Sequence, residues 1–519
     1  AHSYAKDGWA LGTESSMVKV SYDSLPFTGS FSNIINLDGA RGESVHAQTV
    51  IIPLDNPLKG VKFSIFNLAG PKGAVIKPTA RVVGYLKTSF QDRYPTEYVG
   101  WWADPLLDNL KTFDIPQNAQ QPLWITIDIP SNALAGIYTG KLTVTPKGLN
   151  PRQIYIKLKV RSFEIPKERH LKLAISYEEN EAARLYGSAW NDNMKWKYRN
   201  FLLQHRFNVD SIYQATPIWD ESVENLKRLK DSGQNFFVVA MFNNTNTPGW
   251  HEKVDTFMQR AKEAGIEDMC WFYGYDESGI TSKPDLLFHA RACHQYWPKA
   301  KVMTTADPVM MDDPEVAEAI DAWVPITASY QKLQNKFAAL RAKGKEVWYY
   351  VCIGPGEPYA NLFVERAPIE QRLLMGMMAE KSKTDGFLYY SLNRAPCNDK
   401  LINDGPLCKW NPASYQEYNG DGCLFYSGVN GPISTIRFEN MQDGLEDYES
   451  LWLLKNLIER AKLNVKKQKA AQQIKPLLNI PDDLTRNLED FTYDPAKLEN
   501  YRTRVYDAIE KLNTLIKSK

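Results

Sequence analysis

The stretch NFFVVAMFNNTNTPGWHEKVDTFMQRAKEAGIEDMCWFYGY, residues 235–275, decides the fold that the sequence predicts. Two short apolar runs, 235–242 and 268–275, enclose an amphipathic segment that ends at Gly265, where a helix C-cap is expected. Short apolar runs of this kind predict buried strands, and a strand, a helix and a strand in this order form a β–α–β unit. The stretch therefore predicts two parallel strands joined by a helix.

The same rhythm continues through residues 166–435. Eight segments share the apolar strand pattern: 171–177, 208–213, 235–242, 268–275, 301–306, 321–326, 346–353 and 385–392. Amphipathic helix candidates such as SVENLKRLKDSG and QKLQNKFAALRAKG lie between them. This alternation predicts a (β/α)8 TIM-like barrel. A doubly wound open sheet is the alternative, although no Gly-rich phosphate turn follows the first strand.

Two further regions flank the predicted barrel. Period-two alternation before residue 165, in segments such as RQIYIKLKV with Ile154, Ile156, Leu158 and Val160 on one face, predicts an antiparallel β-sandwich over 1–165. Apolar residues at helical spacing after residue 435 predict a C-terminal helical segment, 436–519, that packs on the barrel. The chain is thus predicted to be a multidomain α/β protein.

Composition gives no support to several classes of partner, although a local charged patch stays open. The 519 residues hold 62 basic and 61 acidic side chains, so no basic surplus recommends a nucleic acid or an anionic membrane as partner. No apolar run approaches the roughly 20 residues that span a bilayer. The start AHSYAKDGW has no leader and suggests processing, so we expect a secreted or periplasmic protein.

The cysteines and the known motifs indicate no cofactor or metal. None of the six cysteines forms a CxxC pair, and the P-loop, GxGxxG, HExxH, GxSxG and EF-hand motifs are absent. Cys397, Cys408 and Cys423 lie in one loop-rich region, where one disulfide is conceivable. Free, buried thiols are the preferred interpretation.

The tripeptide DES occurs twice, and the two copies have different predicted roles. Asp220 and Glu221 stand before SVENLKRL, where acidic groups cap a helix N-terminus. Asp276 and Glu277 instead follow the fourth predicted strand, and reacting groups of barrels lie at the carboxyl ends of strands. The second pair is either another helix cap or a catalytic site. Aromatic neighbours, Tyr275 among them, favour a partly dry pocket.

Other polar or aromatic residues follow the predicted strands. They are Asp307, Tyr330, Glu357, Asn393, and, on the long segment after the eighth strand, Trp410 and Asp421. Each by itself suits a structural role, but together they could hydrogen-bond hydroxyls and stack on a sugar ring. Glu357 follows the seventh strand, so Glu277 and Glu357 could form the acid/base and nucleophile pair of a conventional retaining glycosidase.

The sequence resembles glycoside hydrolase family 123 along most of its length. The resemblance rests on GYDE, DGFLYYSLN, GDGCLFYSG, GIYTGKLTV and, most specifically, GPISTIRFENMQDGLEDYESLWLL. Gln442 stands where a basic residue is expected, and Tyr390 where Trp is usual. Family resemblance implies a β-N-acetylgalactosaminidase that acts on a glycan with a terminal β-linked GalNAc.

The resemblance also implies a mechanism and a set of site residues. The substrate's 2-acetamido oxygen would attack the anomeric carbon, with Glu277 as general acid and base and Asp276 orienting the acetamido group. Tyr330 is the candidate to contact the acetamido oxygen. The predicted substrate-binding residues are Tyr275, Asp307, Tyr330, Tyr390, Asn393 and Trp410. The conventional retaining mechanism and a non-catalytic carbohydrate-binding protein are the alternatives.

Overall fold

A computed structural model describes residues 8–89, 93–213, 219–245, 248–394 and 399–517. The N-terminal region forms strands β1 to β12, which are Trp9–Ser15, Ile34–Arg41, Ser44–Pro53, Leu58–Ile65, Leu68–Ala69, Val75–Ile76, Thr79–Lys87, Trp101–Leu107, Phe113–Ile115, Gln121–Asp128, Gly136–Thr145 and Arg152–Glu164. One sheet has the order β1–β3–β10–β7, with β8 beside β7. The other has the order β2–β12–β11–β4–β9, with β5 and β6 attached to β11.

These two sheets form the predicted β-rich N-terminal region. Strand pairs are antiparallel except β2–β12, which is parallel. The predicted inward face of β12 is confirmed, because Ile154, Ile156, Leu158 and Val160 are buried in the core between the sheets. The alternating pattern works because successive strand side chains point to opposite faces.

The rest of the chain alternates strands and helices. Strands β13 to β23 are Lys172–Ile175, Phe237–Met241, Cys270–Tyr273, Lys301–Thr304, Ala322–Trp323, Glu346–Val347, Tyr349–Tyr350, Gly386–Tyr389, Leu407–Cys408, Tyr426–Gly428 and Gly431–Ile433. Helices α1 to α13 are Glu179–Tyr186, Asp192–Gln204, Val223–Asp231, Trp250–Ala264, Lys283–Tyr296, Pro314–Ala319, Thr327–Lys332, Gln334–Ala342, Pro368–Met375, Met377–Ser382, Ile436–Lys462, Val465–Ile474 and Pro495–Lys517.

The parallel strands form two sheets, and a closed barrel does not emerge from their hydrogen bonding. One sheet has the order β13–β20–β19, and the other has the order β14–β15–β16–β17–β18. The quoted stretch 235–275 does form the predicted parallel pair, β14 and β15, joined by α4. The prediction of parallel β–α units is therefore confirmed, whereas the (β/α)8 barrel stays a prediction.

The segment 208–213, predicted as the second strand, is not a strand. Its polar side chains occupy the main-chain groups that a sheet would pair: Asp210 Oδ2 accepts from Val238 N at 2.6 Å, and Asn208 Nδ2 donates to Leu173 O at 2.8 Å. Ser176 Oγ likewise accepts from Ile212 N at 3.0 Å. The segment thus lies between β13 and β14 and bonds to those strands through side chains, while one main-chain bond, from Tyr177 N to Asp210 O at 2.7 Å, follows the end of β13. This pattern explains the interruption between the sheets.

Helix α11 packs the two regions together. Its N-cap Thr435 accepts a hydrogen bond from Phe438 N at 3.1 Å, and its first twelve residues are all buried. The C-terminal helical segment was predicted from residue 436, and α11 begins at Ile436. Many of the buried residues in its first turns are charged.

The buried charges of α11 are matched by residues from both regions. Arg437 Nε and Nη2 each lie 2.8 Å from an oxygen of Asp104 on β8. The His46 ring lies between Glu439, at 2.7 Å, and Asp443, at 2.9 Å. Burial disfavours a charged imidazole, but the two carboxylates outweigh it and raise the pKa of His46 to about 10. Buried ion pairs therefore hold the sandwich against helix α11.

The Asp104–Arg437 pair gives a test of this docking. We expect Asp104→Asn to lower the free energy of unfolding by about 3–5 kcal/mol, because it leaves the Arg437 guanidinium buried without a counter-charge. Urea unfolding followed by tryptophan fluorescence measures the change. Asp114→Asn, which breaks the exposed Lys59–Asp114 pair (2.9 Å), is the control and should leave the midpoint unchanged. Equal midpoints for the two variants would contradict the assignment.

Candidate active site

Asp276 and Glu277 lie on the loop that follows β15. Gly274 N donates to Met303 O at 2.7 Å, which continues the parallel pairing with β16 up to the acidic pair. Glu277 has φ of 43°, a left-handed conformation that is uncommon for a residue with a side chain. Its N–H donates to Thr305 Oγ1 at 2.9 Å. This local turn leaves both carboxylates exposed at the carboxyl edge of the sheet, and strained backbone of this kind is typical of functional sites.

Each carboxylate has its own tyrosine partner. Tyr273 OH donates to Asp276 Oδ1, which Thr305 Oγ1 also contacts at 3.1 Å. Tyr350 OH, from the end of β19, donates to Glu277 Oε1 at 2.5 Å. Burial, and for Tyr350 the charge of Glu277, raises the pKa of both phenols, so these hydroxyls stay protonated donors. The two acids are therefore held in separate hydrogen-bonding environments.

Two more side chains share the electrostatic field of the pair. Burial, together with the charges of Asp276 and Glu277, raises the pKa of Tyr213 well above its ordinary value. Burial and the same carboxylates, with Asp421, raise the pKa of Cys352 to about 11, so this thiol stays neutral. The pair is thus flanked by aromatic and neutral groups.

A second polar cluster lies where the chain leaves β20. Asp421 is fully buried and accepts hydrogen bonds from Tyr390 OH at 2.6 Å and Tyr389 OH at 3.1 Å. Burial raises the pKa of Asp421 to about 6. Asn393 is also buried, and it exchanges hydrogen bonds with the main chain of Glu178, at 2.8 and 3.0 Å. Tyr390 is half-buried here, while Asn393 joins the loops after β13 and β20.

The other predicted site residues lie apart from the pair or serve the framework. Tyr330 is fully buried, and its OH donates to Ser382 O at 2.9 Å, so it does not reach the site. Trp410 packs in the sandwich core against Tyr426, because β21 adds a strand to the sandwich beside β7. Asp307 Oδ1 caps the turn at 308–312 by accepting from Val309 N at 2.9 Å.

Tyr275 and Glu357 occupy the edges of this region. Tyr275 packs beside Phe242 and His289, with ring centroids 6.1 and 6.3 Å away. Glu357 is half-exposed and accepts a hydrogen bond from Arg366. Within the described ranges, no hydrogen bond joins Glu357 to Asp276 or Glu277. The structure therefore gathers Asp276 and Glu277 with their sequence neighbour Tyr273 and with Tyr350, which the sequence did not single out.

The DES copy at 220–222 has the structural role that was predicted, with a different cap. Ser222, not Asp220, caps α3 by accepting from Asn225 N at 3.2 Å. Glu221 is buried and lies 2.8 Å from Arg199 and 3.0 Å from Lys195. Burial would raise the pKa of Glu221, but these cations and Asn225 outweigh it and lower that pKa. The two copies thus differ in exposure as well as in partners.

Sequence reasoning missed Tyr213, Thr305 and Tyr350, and it named Tyr273 only as an aromatic neighbour of the pair. Tyr213 ends the predicted strand 208–213, Thr305 is the last residue but one of 301–306, and Tyr350 falls inside EVWYYVCI. The sequence signal that could have found these residues is their position near the carboxyl end of a strand. That signal does not specify which of two adjacent tyrosines, Tyr349 or Tyr350, faces the site. Tyr349 is instead buried, with its OH donating to Leu374 O at 2.7 Å.

Cysteines and potential metal ligands add little to the site. Cys270, Cys293, Cys352 and Cys408 are free, but Cys423 is disulfide-bonded, which corrects the preferred interpretation of free thiols. Cys397 lies outside the described residues. In the described part of the chain, no group of three or more His, Cys, Asp or Glu could hold a metal, and no helix is long and apolar enough to cross a bilayer.

A cavity of about 1030 Å³ lies away from the acidic pair, between the sandwich and α11, with Arg81, Arg206, Glu439 and Glu446 among its walls. Glu439 is already paired with Arg81 at 2.7 Å, and Glu446 lies 3.4 Å from Arg206. Because its charged groups pair with one another, this cavity is an interdomain space, and the exposed acids after β15 remain the candidate active site.

Comparisons with known proteins give two family matches and one similar structure. Residues 196–454 match the model of the glycoside hydrolase 123 catalytic domain, and residues 24–146 match the glycoside hydrolase 123 N-terminal domain. A family 123 glycoside hydrolase from Clostridium perfringens, whose structure was described for glycolipid glycan hydrolysis, has a TM-score of 0.67 at 16% identity over 98% of each chain. That likeness establishes a shared fold.

The other comparisons add no support for the fold or the family. A family 39 glycoside hydrolase from the gut symbiont Bacteroides cellulosilyticus WH2 covers 80% of this chain and 82% of its own at 12% identity, with a TM-score of only 0.35. Comparison with curated protein sequences gives no match.

The two family matches define a glycoside hydrolase. The chain belongs to glycoside hydrolase family 123. Its predicted family resemblance is thereby confirmed, and a glycan is the class of substrate that this membership supports.

The two DES copies give a paired prediction. Glu221→Gln should lower the free energy of unfolding by about 3 kcal/mol at pH 7 and leave hydrolysis unchanged, because it breaks buried ion pairs with Arg199 and Lys195 that do not include the acidic pair. Glu277→Gln should leave the free energy of unfolding unchanged and lower the rate of hydrolysis. Thermal unfolding and glycosidase assays on both variants measure the two effects.

The pH dependence of unfolding adds a check on Glu221. Its folded pKa is lowered, so its contribution is present above the ordinary value of 4.5 and is lost as the pH falls. The stability difference between wild type and Glu221→Gln should therefore shrink in acid. A variant that unfolds like wild type at every pH would refute the structural role.

Proposed function

We propose that this protein is an exo-acting, retaining β-N-acetylgalactosaminidase that uses substrate-assisted catalysis. The observation that carries the proposal is the pair of adjacent, exposed carboxylates, Asp276 and Glu277, each bonded by a different tyrosine hydroxyl. The family 123 membership supports the same reaction class.

Adjacent acids suit a reaction in which the substrate supplies the nucleophile. Glu277 protonates the leaving glycosidic oxygen while the substrate's acetamido oxygen attacks the anomeric carbon. Asp276 accepts the acetamido N–H and stabilises the positive charge of the oxazolinium ion that forms. Glu277, now ionised, then takes a proton from the water that opens the intermediate. One acid serves the glycosidic oxygen and the other serves the neighbouring 2-substituent, so they stand side by side.

The hydrogen bonds support this division of roles. Tyr350 bonds to Glu277 Oε1, which leaves Oε2 to carry the transferred proton. Tyr273 and Thr305 both bond to Asp276 Oδ1, which leaves Oδ2 to accept the acetamido N–H. A carboxylate fixed through one oxygen keeps its other oxygen oriented toward the substrate, which reduces the entropy cost of reaching the transition state.

Tyr213, and not Tyr330, is proposed to contact the acetamido oxygen of the substrate. Tyr330 is buried away from the pair. Tyr213 is close enough for the charges of both carboxylates to raise its pKa, and its ring centroid lies 5.9 Å from that of Tyr273. The half-buried Tyr390, on the neighbouring loop, is proposed to contact sugar hydroxyls.

The conventional retaining mechanism has less support. Its nucleophile would be Glu357, which is held by Arg366 and has no bond to the cluster around Asp276 in the parts of the chain described.

We also propose that the two parallel sheets, with segment 208–213 between them, are one distorted (β/α)8 barrel. The disulfide at Cys423 supports a secreted or periplasmic location, where such bonds persist.

Substitution of the acidic pair tests the catalytic roles. We expect Glu277→Gln and Asp276→Asn each to lower kcat/KM on an aryl β-N-acetylgalactosaminide by about 10²–10⁴, because one loses the proton donor and the other the acetamido acceptor. Steady-state kinetics measure the loss, and an unchanged thermal midpoint shows that the fold is kept. Full activity in either variant would overturn its role.

A substrate panel tests the acetamido requirement and the second mechanism together. Aryl β-glycosides that differ at C2 and C4 should be cleaved only when C2 bears an acetamido group, with the galacto isomer preferred. A GalNAc-thiazoline should inhibit, because it mimics the cyclic intermediate. Glu357→Gln should keep activity. Covalent trapping of Glu357 by a 2-fluoro sugar would establish the conventional mechanism instead.

A further inference from the structure

The solvent-facing side of the sheet β2–β12–β11–β4 carries an unusual set of side chains. Outward positions combine exposed apolar residues with lysines: Ile34, Phe66, Ile137 and Tyr155, and Lys62, Lys141, Lys157 and Lys159. We call this set the lysine–aromatic face. The four apolar side chains are 43–49% exposed. Such a contiguous face on a sheet that already has its core on the other side is typical of a binding surface.

Strand register places the rings on one row across the sheet. Phe66 N donates to Lys141 O at 2.9 Å, Lys141 pairs with Tyr155, and Tyr155 pairs with Ile34. Phe66 and Tyr155 are therefore two strand spacings apart, roughly 10 Å. Lys141 stands between them, with its ammonium 5.4 Å from the Phe66 ring centroid. The row is a flat platform of two rings with a cation at its centre.

The charge of this face is one-sided. Within the described ranges, none of the four lysines takes part in an ion pair. The nearest outward carboxylate on these strands, Asp38, is already bound by Arg161, with 2.5 Å between Asp38 Oδ2 and Arg161 Nη2. Unpaired cations on a surface attract an anionic partner over about a Debye length. The overall net charge of the chain is only +1, so this cationic surface is a local feature.

The face continues into a cavity. A space of about 720 Å³ is lined by Ile34, Ile137, Lys157 and Lys159 on one side and by residues of α13 on the other. Three of the four carboxylates there are paired: Asp38 lies 2.5 Å from Arg161, and Asp443 and Glu499 lie 3.3 and 3.1 Å from Arg372. Glu14 accepts a hydrogen bond from Ser15 N at 2.8 Å. Lys157 and Lys159 at the rim therefore outnumber the one carboxylate of this cleft that has no ion pair among the described residues.

We propose that the lysine–aromatic face binds a polyanionic polysaccharide, separately from the catalytic pair. Rings on a flat sheet stack on the apolar faces of sugar rings, and the lysines beside them pair with sulfate or carboxylate substituents. A rod-like chain fits a flat row of this length, whereas a membrane-binding surface inserts protruding apolar side chains. The proposal rests on family membership and on this surface, and it holds whichever glycan the active site cleaves.

The test uses chondroitin sulfate as the probe, with neutral dextran as the uncharged comparison. Affinity electrophoresis of the full chain should show retardation by chondroitin sulfate that weakens with salt, and little retardation by dextran. The variants Lys141→Gln/Lys157→Gln/Lys159→Gln and Phe66→Ala/Tyr155→Ala should each weaken binding by about tenfold or more. Both variants should hydrolyse a small aryl substrate at the wild-type rate, which shows that the fold and the active site are intact.

Matched controls separate the face from general charge and from catalysis. Lys227→Gln/Lys253→Gln/Lys262→Gln removes the same charge from exposed positions on α3 and α4, and it should bind like wild type. Asp276→Asn/Glu277→Gln should also bind like wild type, so a failure of the proposed function leaves this result readable. Absence of binding by wild type, or equal weakening by the control triple variant, would overturn the proposal. Binding to phosphatidylserine vesicles without binding to chondroitin sulfate would assign the face to membranes instead.

Discussion

The buried guanidinium of Arg437 is the interaction on which the rest of the structure depends. It lies at the start of α11, is fully shielded from solvent, and is bound twice by Asp104 of the sandwich, at 2.8 Å. The same group donates to the carbonyls of Leu362, Gly420 and Cys423. Because an unpaired buried guanidinium costs several kcal/mol, all of these chain segments have to meet at one point.

This requirement connects the sandwich to the active-site side of the molecule. Gly420 and Cys423 flank Asp421, which holds Tyr389 and Tyr390 by their hydroxyls. A carboxylate on β8 therefore helps to fix the loop beside the site, although no sandwich residue bonds to Asp276 or Glu277 in the described part of the chain. The N-terminal region thus stabilises the loop beside the site, while its lysine–aromatic face is exposed to solvent and available for another ligand.

Prediction succeeded where local periodicity reflects burial on one face and was wrong where buried polar groups replace that pattern. The alternation in β12 and the strand, helix and strand of 235–275 follow from apolar spacing. Segment 208–213 has strand-like apolar residues, but the side chains of Asn208 and Asp210, and not its backbone, bond to the main chains of β13 and β14. Trp410 was placed near a sugar, yet it fills the sandwich core, because β21 pairs with a strand more than 300 residues away in sequence.

The sequence by itself determined the class of fold, the family and the acidic pair at the end of β15, since these depend on spacing and on motifs within short segments. Only the tertiary structure decided which side chains surround that pair. Tyr350 reaches Glu277 across 73 residues and Thr305 reaches Asp276 across 29, so their contacts arise from strand order. Local sequence specifies which way a strand faces, but the partners of an exposed carboxylate depend on which distant strands lie beside it.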